Sequence, residues 1–332
     1  MAEYPSLSVS GDTRLRHETI EVDPGGDVSR ERYRARLALD TDLAEPLTLH
    51  VRFATGTGDP VSTNLNFGES FTLDDVQLDR AYLEWRTSDA ARVFAGKMKN
   101  PLYRPGDTSL NWDSDLNPEG VAADFHRNGT RATVGVFDVA DQGDERSRLF
   151  ALQLGGAWRI GEAEVTAGAG YYDYTNTQGA KPFYRGLAAG NTVDAAGNYA
   201  YDYDIVELWL EYGITLSGVP LELFGDWVRN LEADRENRAW AIGVNAGEAQ
   251  ERGGVAVSWA WHDTEADALI GTFTDSDLGG GNTDSRGHVF RVEYALTDRL
   301  VTGGTLILSE FGHFNGQARD FDRVMLDLEF SF

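Results

Sequence analysis

The last ten residues, Arg323-Val324-Met325-Leu326-Asp327-Leu328-Glu329-Phe330-Ser331-Phe332, decide how the whole chain is read. Val324, Leu326, Leu328, Phe330 and Phe332 hold every second place, with Arg323, Met325, Asp327, Glu329 and Ser331 between them. A period of two is a strand with one apolar and one mostly polar face. About ten residues is also the length with which a tilted strand crosses a bilayer.

The same alternation recurs upstream. Tyr33, Ala35, Leu37 and Leu39 alternate with Arg32, Arg34, Arg36 and Ala38; Leu47, Leu49, Val51 and Phe53 with Thr48, His50 and Arg52. Val206, Leu208, Leu210, Tyr212 and Ile214 alternate with Glu207, Trp209 and Glu211, and Phe290, Val292, Tyr294 and Leu296 with Arg291 and Glu293. Helical spacing is not sustained over three turns anywhere. Sixteen segments emerge, near 6–19, 30–41, 46–56, 74–87, 90–98, 118–126, 130–138, 147–160, 163–174, 201–215, 220–230, 237–247, 253–262, 286–296, 300–311 and 322–332. Tight connections (41–45, 87–89, 127–129, 161–162, 216–219, 248–252, 297–299) contrast with long ones near 57–73, 99–117, 175–200 and 263–285. Tight turns on one rim and long loops on the other describe an all-β, sixteen-stranded antiparallel transmembrane β-barrel. We expect residues 1–332 to form a single barrel domain with a constriction loop at about 99–117.

Composition fits that reading. The chain has 332 residues, no Cys, 37 Gly and a formal net charge of −25. Without cysteines there is no disulfide framework and no Cys-based metal site. An acidic chain lacks the basic stripe of a general nucleic-acid binder. No run of about 18 apolar residues exists to make a membrane helix. A sandwich or jelly roll would also alternate. It would not need aromatic residues at the ends of so many strands: Trp85, Trp158, Trp227, Trp240, Trp259, Trp261, Tyr171, Tyr294, Phe330 and Phe332. Girdles at two membrane interfaces explain them. No fixed-period repeat points to a propeller or solenoid. The start, Met1-Ala2-Glu3-Tyr4-Pro5, has neither a basic n-region nor an apolar h-region. We read it as a mature chain in which a start Met stands in for a secretory signal.

If the apolar faces meet lipid, the opposite faces line the lumen. Arg14 and Arg16 share one face of the first strand, Arg30, Arg32, Arg34 and Arg36 one face of the second, and His50 and Arg52 one face of the third. Arg80 and Arg86 fall on the fourth, where the alternation slips between Val76, Leu78 and Ala81, Leu83, Trp85; a bulge is expected there. Arginine stays charged at any relevant pH, so these residues predict a permanent positive wall. The connection at 99–117 holds Asp107, Asp113 and Asp115, with Glu119 just beyond, and is stiffened by Pro101 and Pro105. Folded inward, it would set an acidic surface against the basic wall and favour small hydrophilic solutes.

Other constellations carry less. Asp138, Asp141, Asp144 and Glu145, and Asp263, Glu265, Asp267, Asp275 and Asp277, form acidic loop clusters without EF-hand spacing. They read as solvated loops, and the sequence leaves a metal open. His17, His50, His126, His262, His288 and His313 occur without a G-x-S-x-G or H-E-x-x-H motif. No catalytic residue and no cofactor is assigned.

Gly96-Lys97-Met98-Lys99-Asn100-Pro101, Trp112-Asp113-Ser114-Asp115-Leu116-Asn117-Pro118-Glu119-Gly120-Val121, Arg80-Ala81-Tyr82-Leu83-Glu84-Trp85 and the terminal Phe332 together resemble the putative porin family of Gram-negative bacteria. The resemblance implies a sixteen-stranded porin, usually a homotrimer, with a constriction loop after the fifth strand and passive diffusion of small hydrophilic solutes. Carried over by position, Arg14, Arg16, Arg34, Arg36, Arg52 and Arg80 form the basic wall, and Asp107, Asp113, Asp115 and Glu119 belong to the loop. The implied surroundings are outer-membrane lipid and lipopolysaccharide, with no nucleic acid. Two other readings stay open: a channel specific for small anions or carboxylates that uses the Arg ladder, and a barrel without transport, such as an enzyme or adhesin.

Overall fold

The computed structural model describes residues 6–68, 70–142, 146–314 and 316–332. The reading of Met1–Pro5 and the acidic residues Asp144 and Glu145 lie outside the described residues.

Sixteen long strands form one sheet that closes on itself. They are β1 (Leu7–Asp23), β2 (Val28–Ala44), β3 (Leu47–Thr55), β4 (Val76–Ser88), β5 (Ala91–Lys97), β6 (Glu119–Arg127), β7 (Thr130–Asp141) and β8 (Arg146–Ile160). The second half comprises β9 (Ala163–Tyr174), β10 (Tyr203–Leu216), β11 (Val219–Asn230), β12 (Arg238–Gly247), β13 (Val255–Thr264), β14 (Ser285–Thr297), β15 (Leu300–Phe311) and β16 (Arg319–Ser331). Each pairs antiparallel with its sequence neighbours, and β1 pairs with β16 to close the ring. A two-residue strand, Leu65–Asn66, adds to β2 from the β3–β4 loop. At the seam the Gly11 amide donates to the Phe332 carbonyl (3.1 Å) and the Phe332 amide to the Gly11 carbonyl (3.0 Å). Closure satisfies every edge, the condition for strands in lipid. No helix among the described residues is long and apolar enough to cross a membrane, which says nothing about strands.

The connections 45–46, 89–90, 128–129, 161–162, 217–218, 248–254 and 298–299 lie on one rim. The long connections 56–75, 98–118, 175–202 and 265–284 lie on the other. Alternating burial separates two faces. Along β10, Leu208 and Leu210 are exposed on the outside while Glu207, Trp209 and Glu211 are buried on the inside. A one-residue slip would turn those carboxylates to lipid, so register is strongly specified. Outward aromatics gather toward the two rims. Trp85, Trp158, Tyr294, Phe330 and Phe332 mark the short-turn side; Tyr171, Trp227, Trp240 and Trp261 mark the long-loop side. Two girdles enclosing an apolar band are the mark of an interface-anchored barrel.

The expected bulge on β4 is present. Arg52 pairs with Arg80 and Phe53 with Leu78, which leaves Asp79 as the extra residue. Asp79 and Arg80 are thereby both free to serve the lumen, and Asp79 forms an ion pair with Arg52.

Candidate functional site: a charge-lined lumen beside a packed loop core

The inward arginines of β1–β4 are stacked by strand register. Arg14 stands opposite Arg34, Arg16 opposite Arg32, and Arg52 opposite Arg80. Like charges directly opposite repel, and carboxylates inside the same wall relieve the repulsion. Asp12 accepts from Arg34 Nη2 (2.7 Å) and from Arg36 Nε (2.7 Å). Asp327 on β16 takes Arg16 through two parallel bonds of 2.7 and 2.8 Å, and Glu329 takes Arg34 at 3.1 Å. Glu18, fully buried, gathers Arg30, Arg32 (3.5 Å) and Arg323 (2.5 Å). The wall is therefore a lattice of alternating charge in which arginine is in excess. Arg14 and Arg80 stand out. Arg14 donates to the Asn64 side chain (2.7 Å) and Arg80 to that of Asn117 (2.7 Å), and neither forms an ion pair among the described residues.

The 98–118 loop folds back against inward-facing side chains of the opposite wall. Tyr103 exchanges backbone bonds with the Gln153 amide (2.6 and 3.0 Å), and its hydroxyl donates to Glu211 (2.5 Å). The Gly106 amide donates to the same carboxylate (2.6 Å), and the Asn245 amide donates to the Gly106 carbonyl (3.1 Å). Gly106 has φ +58°, and a Cβ there would overlap the Phe224 ring on β11. The four acidic residues read from this stretch go to four places. Asp115 reaches the arginines, accepting from Arg36 at 3.1 Å. Asp107 pairs with Arg104 at the loop tip, Glu119 pairs with Lys97 (2.7 Å), and Asp113 turns to another loop.

That other loop, 265–284, is the one sequence reasoning missed. The Asp113 amide donates to the Phe273 carbonyl (2.9 Å), the Asp275 amide to the Ser109 carbonyl (3.1 Å), and the Ser276 amide to the Asp113 carboxylate (3.1 Å). Asp277 then extends to Arg323 (2.8 Å) and Arg16 (3.7 Å). The 175–202 loop joins through Asn191, whose amide donates to the carbonyls of Ala266 and Leu269 (both 2.7 Å). Trp112, Tyr172, Tyr174, Tyr199, Leu269 and Ile270 are buried together where these loops meet β6–β12. One side of the lumen is thus filled by an apolar core. The signal for it, Leu269-Ile270 and Phe273 inside a stretch rich in Asp, Gly and Thr, was diluted by its surroundings.

What stays open lies on the side of β13–β16 and β1–β4. A cavity of about 360 Å3 is lined by Arg14, Arg16, Arg104, Asp107, Asp277 and Arg291, among others. Across it from Arg14 stands the Arg104–Asp107 pair of the first loop, while Asp277 of the second loop is bonded to the wall through Arg323 and Arg16. Arg36, Arg52 and Arg80 line a second cavity nearer the short-turn rim, together with Asp12 and Asp40, and Arg34 is not among its lining residues. Among the described residues no group of three or more His, Asp or Glu side chains is placed to hold a metal ion.

The loop carboxylates respond to pH in opposite directions. Burial, and then Asp277, pushes Asp275 up to about 6, and burial with Asp275 nearby pushes Asp113 well above the usual carboxylate range. Burial also opposes the charge on Asp277, but Arg323, Arg16 and the guanidiniums around them outweigh it and bring it to about 2. A raised folded-state pKa means that folding favours the protonated acid. The contribution of Asp275 is complete below its unfolded value near 3.8 and is lost as pH rises through about 6. Asp277 contributes above 3.8 and fails only as pH falls toward 2. Hydrogen exchange of the 265–284 amides is therefore expected to quicken, after correction for intrinsic rates, between pH 4.5 and 7. Asp275→Asn should flatten that profile; an unchanged profile in the variant would disprove the assignment.

A closed sixteen-stranded antiparallel barrel with short turns on one rim and a charged lumen is the architecture of a porin. The family profile described as "putative porin" matches residues 19–192 and 190–332, and the chain belongs to that family. Solved porin structures share the fold at low identity. A triple mutant of the Rhodopseudomonas blastica porin is 12% identical with TM-score 0.59, covering 98% of this chain and 100% of that one. OprB of Pseudomonas putida, in a high-pH structure, is 10% identical with TM-score 0.64, covering 98% and 94%. A loop-deletion mutant of OmpT, an outer membrane protein of Vibrio cholerae, is 11% identical with TM-score 0.56, covering 99% and 100%. No curated protein matches the sequence.

Proposed function

We propose that this chain is an outer-membrane porin through which small hydrophilic solutes and ions diffuse passively, working as a homotrimer in contact with lipid and lipopolysaccharide. The observation that carries the reading is the 360 Å3 cavity, lined by Arg14 and Arg16 on the wall, by the Arg104–Asp107 pair on the first loop and by Asp277, which bonds the wall from the second. A transverse field across a water-filled gap orients polar solutes and repels apolar ones. The 98–118 loop, strapped through Tyr103 and Gly106, sets the width of the gap and acts as the constriction; the 265–284 loop sets its depth.

A second reading, selectivity for small anions or carboxylates, is favoured by one observation. Arg14 and Arg80 have amide partners instead of carboxylates. Arg34 and Arg36, by contrast, share Asp12, so neutralising them would unpair a half-buried acid instead of removing a free cation. Arg14→Gln combined with Arg80→Gln should move the reversal potential under a tenfold KCl gradient toward cations by on the order of 10 mV. Block of the current by carboxylates should weaken in the same variant if the channel is anion-specific. An unchanged reversal potential would remove both arginines from the conducting path.

A further inference from the structure

A recess of about 240 Å3 opens in the lumen wall toward the short-turn rim, below the 98–118 loop. Its lining includes Tyr103, Arg131, Gly155, Thr166 and Trp209, with His126 at its edge. In a lumen built of ion pairs this recess is mostly apolar. Gly155 and Gly168 are cross-strand partners on β8 and β9, and a Cβ at Gly168 would overlap the Trp209 ring, so the two glycines let the indole lie flat on the wall. The Tyr103 ring stands 5.8 Å from that of Trp209. Trp209 is 6% exposed, and its Nε1 is buried without a hydrogen-bond partner. A buried donor left unpaired is costly and points to an acceptor that arrives from outside.

Arg131 is the guanidinium that lines the recess, and the carboxylates around it, Asp124 and Glu211, are held by Arg131 and by the Tyr103 hydroxyl. Arg131 lies over the Tyr103 ring at 5.7 Å, donates to the Pro101 carbonyl (2.6 Å) and reaches Asp124 (3.3 Å). Asp124 also takes Arg92 at 2.9 Å, so one carboxylate is shared between two guanidiniums. The Gln153 side chain is already committed to Tyr103, Tyr172 and Glu207. The chemistry offered to a ligand is therefore an apolar, ring-lined floor, an unpaired indole N–H and the one lining guanidinium, Arg131.

We propose that this recess binds a small aromatic carboxylate entering from the short-turn side, its ring packed against Tyr103 and Trp209 and its carboxylate directed to Arg131 and the Trp209 Nε1. An alkyl acid without a ring leaves the floor empty, and a neutral arene leaves the charge and the N–H unmet. The site uses the lumen only as its access route, so it rests on the porin reading for entry and on its own residues for binding.

The test is calorimetric titration of the purified, folded protein with benzoate, acetate and benzyl alcohol, beside a bilayer conductance measurement on the same preparation. Benzoate should give saturable binding with a millimolar dissociation constant, and acetate and benzyl alcohol should not. Trp209→Phe, which keeps a ring and removes the N–H, should weaken benzoate by roughly fivefold; Arg131→Gln should weaken it as well. Absent benzoate binding, equal binding of acetate, or a Trp209→Phe variant that binds like the parent would overturn the site. Conductance without benzoate binding rejects the site alone, whereas benzoate binding without conductance rejects the porin reading alone.

Discussion

Gly106→Ala is expected to lower single-channel conductance by roughly half, because the new side chain pushes the tip of the 98–118 loop away from Phe224 and toward the cavity it borders. The backbone at Gly106 has φ +58°, a region where a side chain costs about 1–3 kcal/mol at such a site. The new Cβ would also overlap the Phe224 ring behind it. Behind the tip are Phe224, Glu211 and Asn245; in front of it is the cavity shared by Asp107, Arg14 and Arg16. A displaced tip therefore carries Arg104 and Asp107 toward the basic wall. Phe224→Ala in the same chain makes room behind the loop and should restore most of the current. A Gly106→Ala channel with unaltered conductance would show that the loop does not bound the path.

The second large effect is on stability. Glu18 is fully buried and is the shared acceptor of Arg30, Arg32 and Arg323. Removing one partner of a buried charge network leaves the others uncompensated, at a cost of about 3–5 kcal/mol. Glu18→Ala should therefore lower the denaturant midpoint for unfolding from lipid vesicles sharply. Adding Arg32→Met should recover part of the loss, since Arg32 pairs with no other carboxylate among the described residues, whereas Arg323 keeps Asp277. If Glu18→Ala unfolds like the parent, the network contributes no stability and the register of β1 against β2 is held by the apolar face alone.

Much of the architecture could be read from residue order, for a physical reason: a strand between lipid and water must alternate, and alternation is visible one residue at a time. That is why Val324 to Phe332 announce a strand, and why the slip between Leu78 and Ala81 marks the bulge found at Asp79. The inward direction of Arg14, Arg34, Arg36 and Arg52 followed from the apolar residues between them. What these arginines bond to did not. Asp12 serves Arg34 and Arg36 because β1 lies beside β2, but Asp327 and Glu329 serve Arg16 and Arg34 across the closing seam, more than 290 residues away in sequence. Only ring closure brings them together.

Loops were harder, because they have no period. The 99–117 stretch stands out for its acids, yet its attachment depends on the Tyr103 hydroxyl and the Gly106 amide meeting Glu211. The inward placement of Glu207 and Glu211 was visible in the alternation of β10; their use as anchors was not. The 265–284 loop looked like a solvated acidic loop. Its Asp275 and Asp277 instead bind the first loop and the basic wall, and its Leu269 and Ile270 complete a buried core. A net charge of −25 conceals this arrangement, in which guanidiniums and carboxylates alternate along one side of the lumen.

The most direct test of the central claim is the current through the purified, folded protein in a planar lipid bilayer. An open, ohmic conductance that rises with salt, commonly in steps of three for a trimer, is the result predicted by a water-filled lumen beside a packed loop core. A protein that is folded and inserted, with strands intact by circular dichroism, but that passes no current would contradict it.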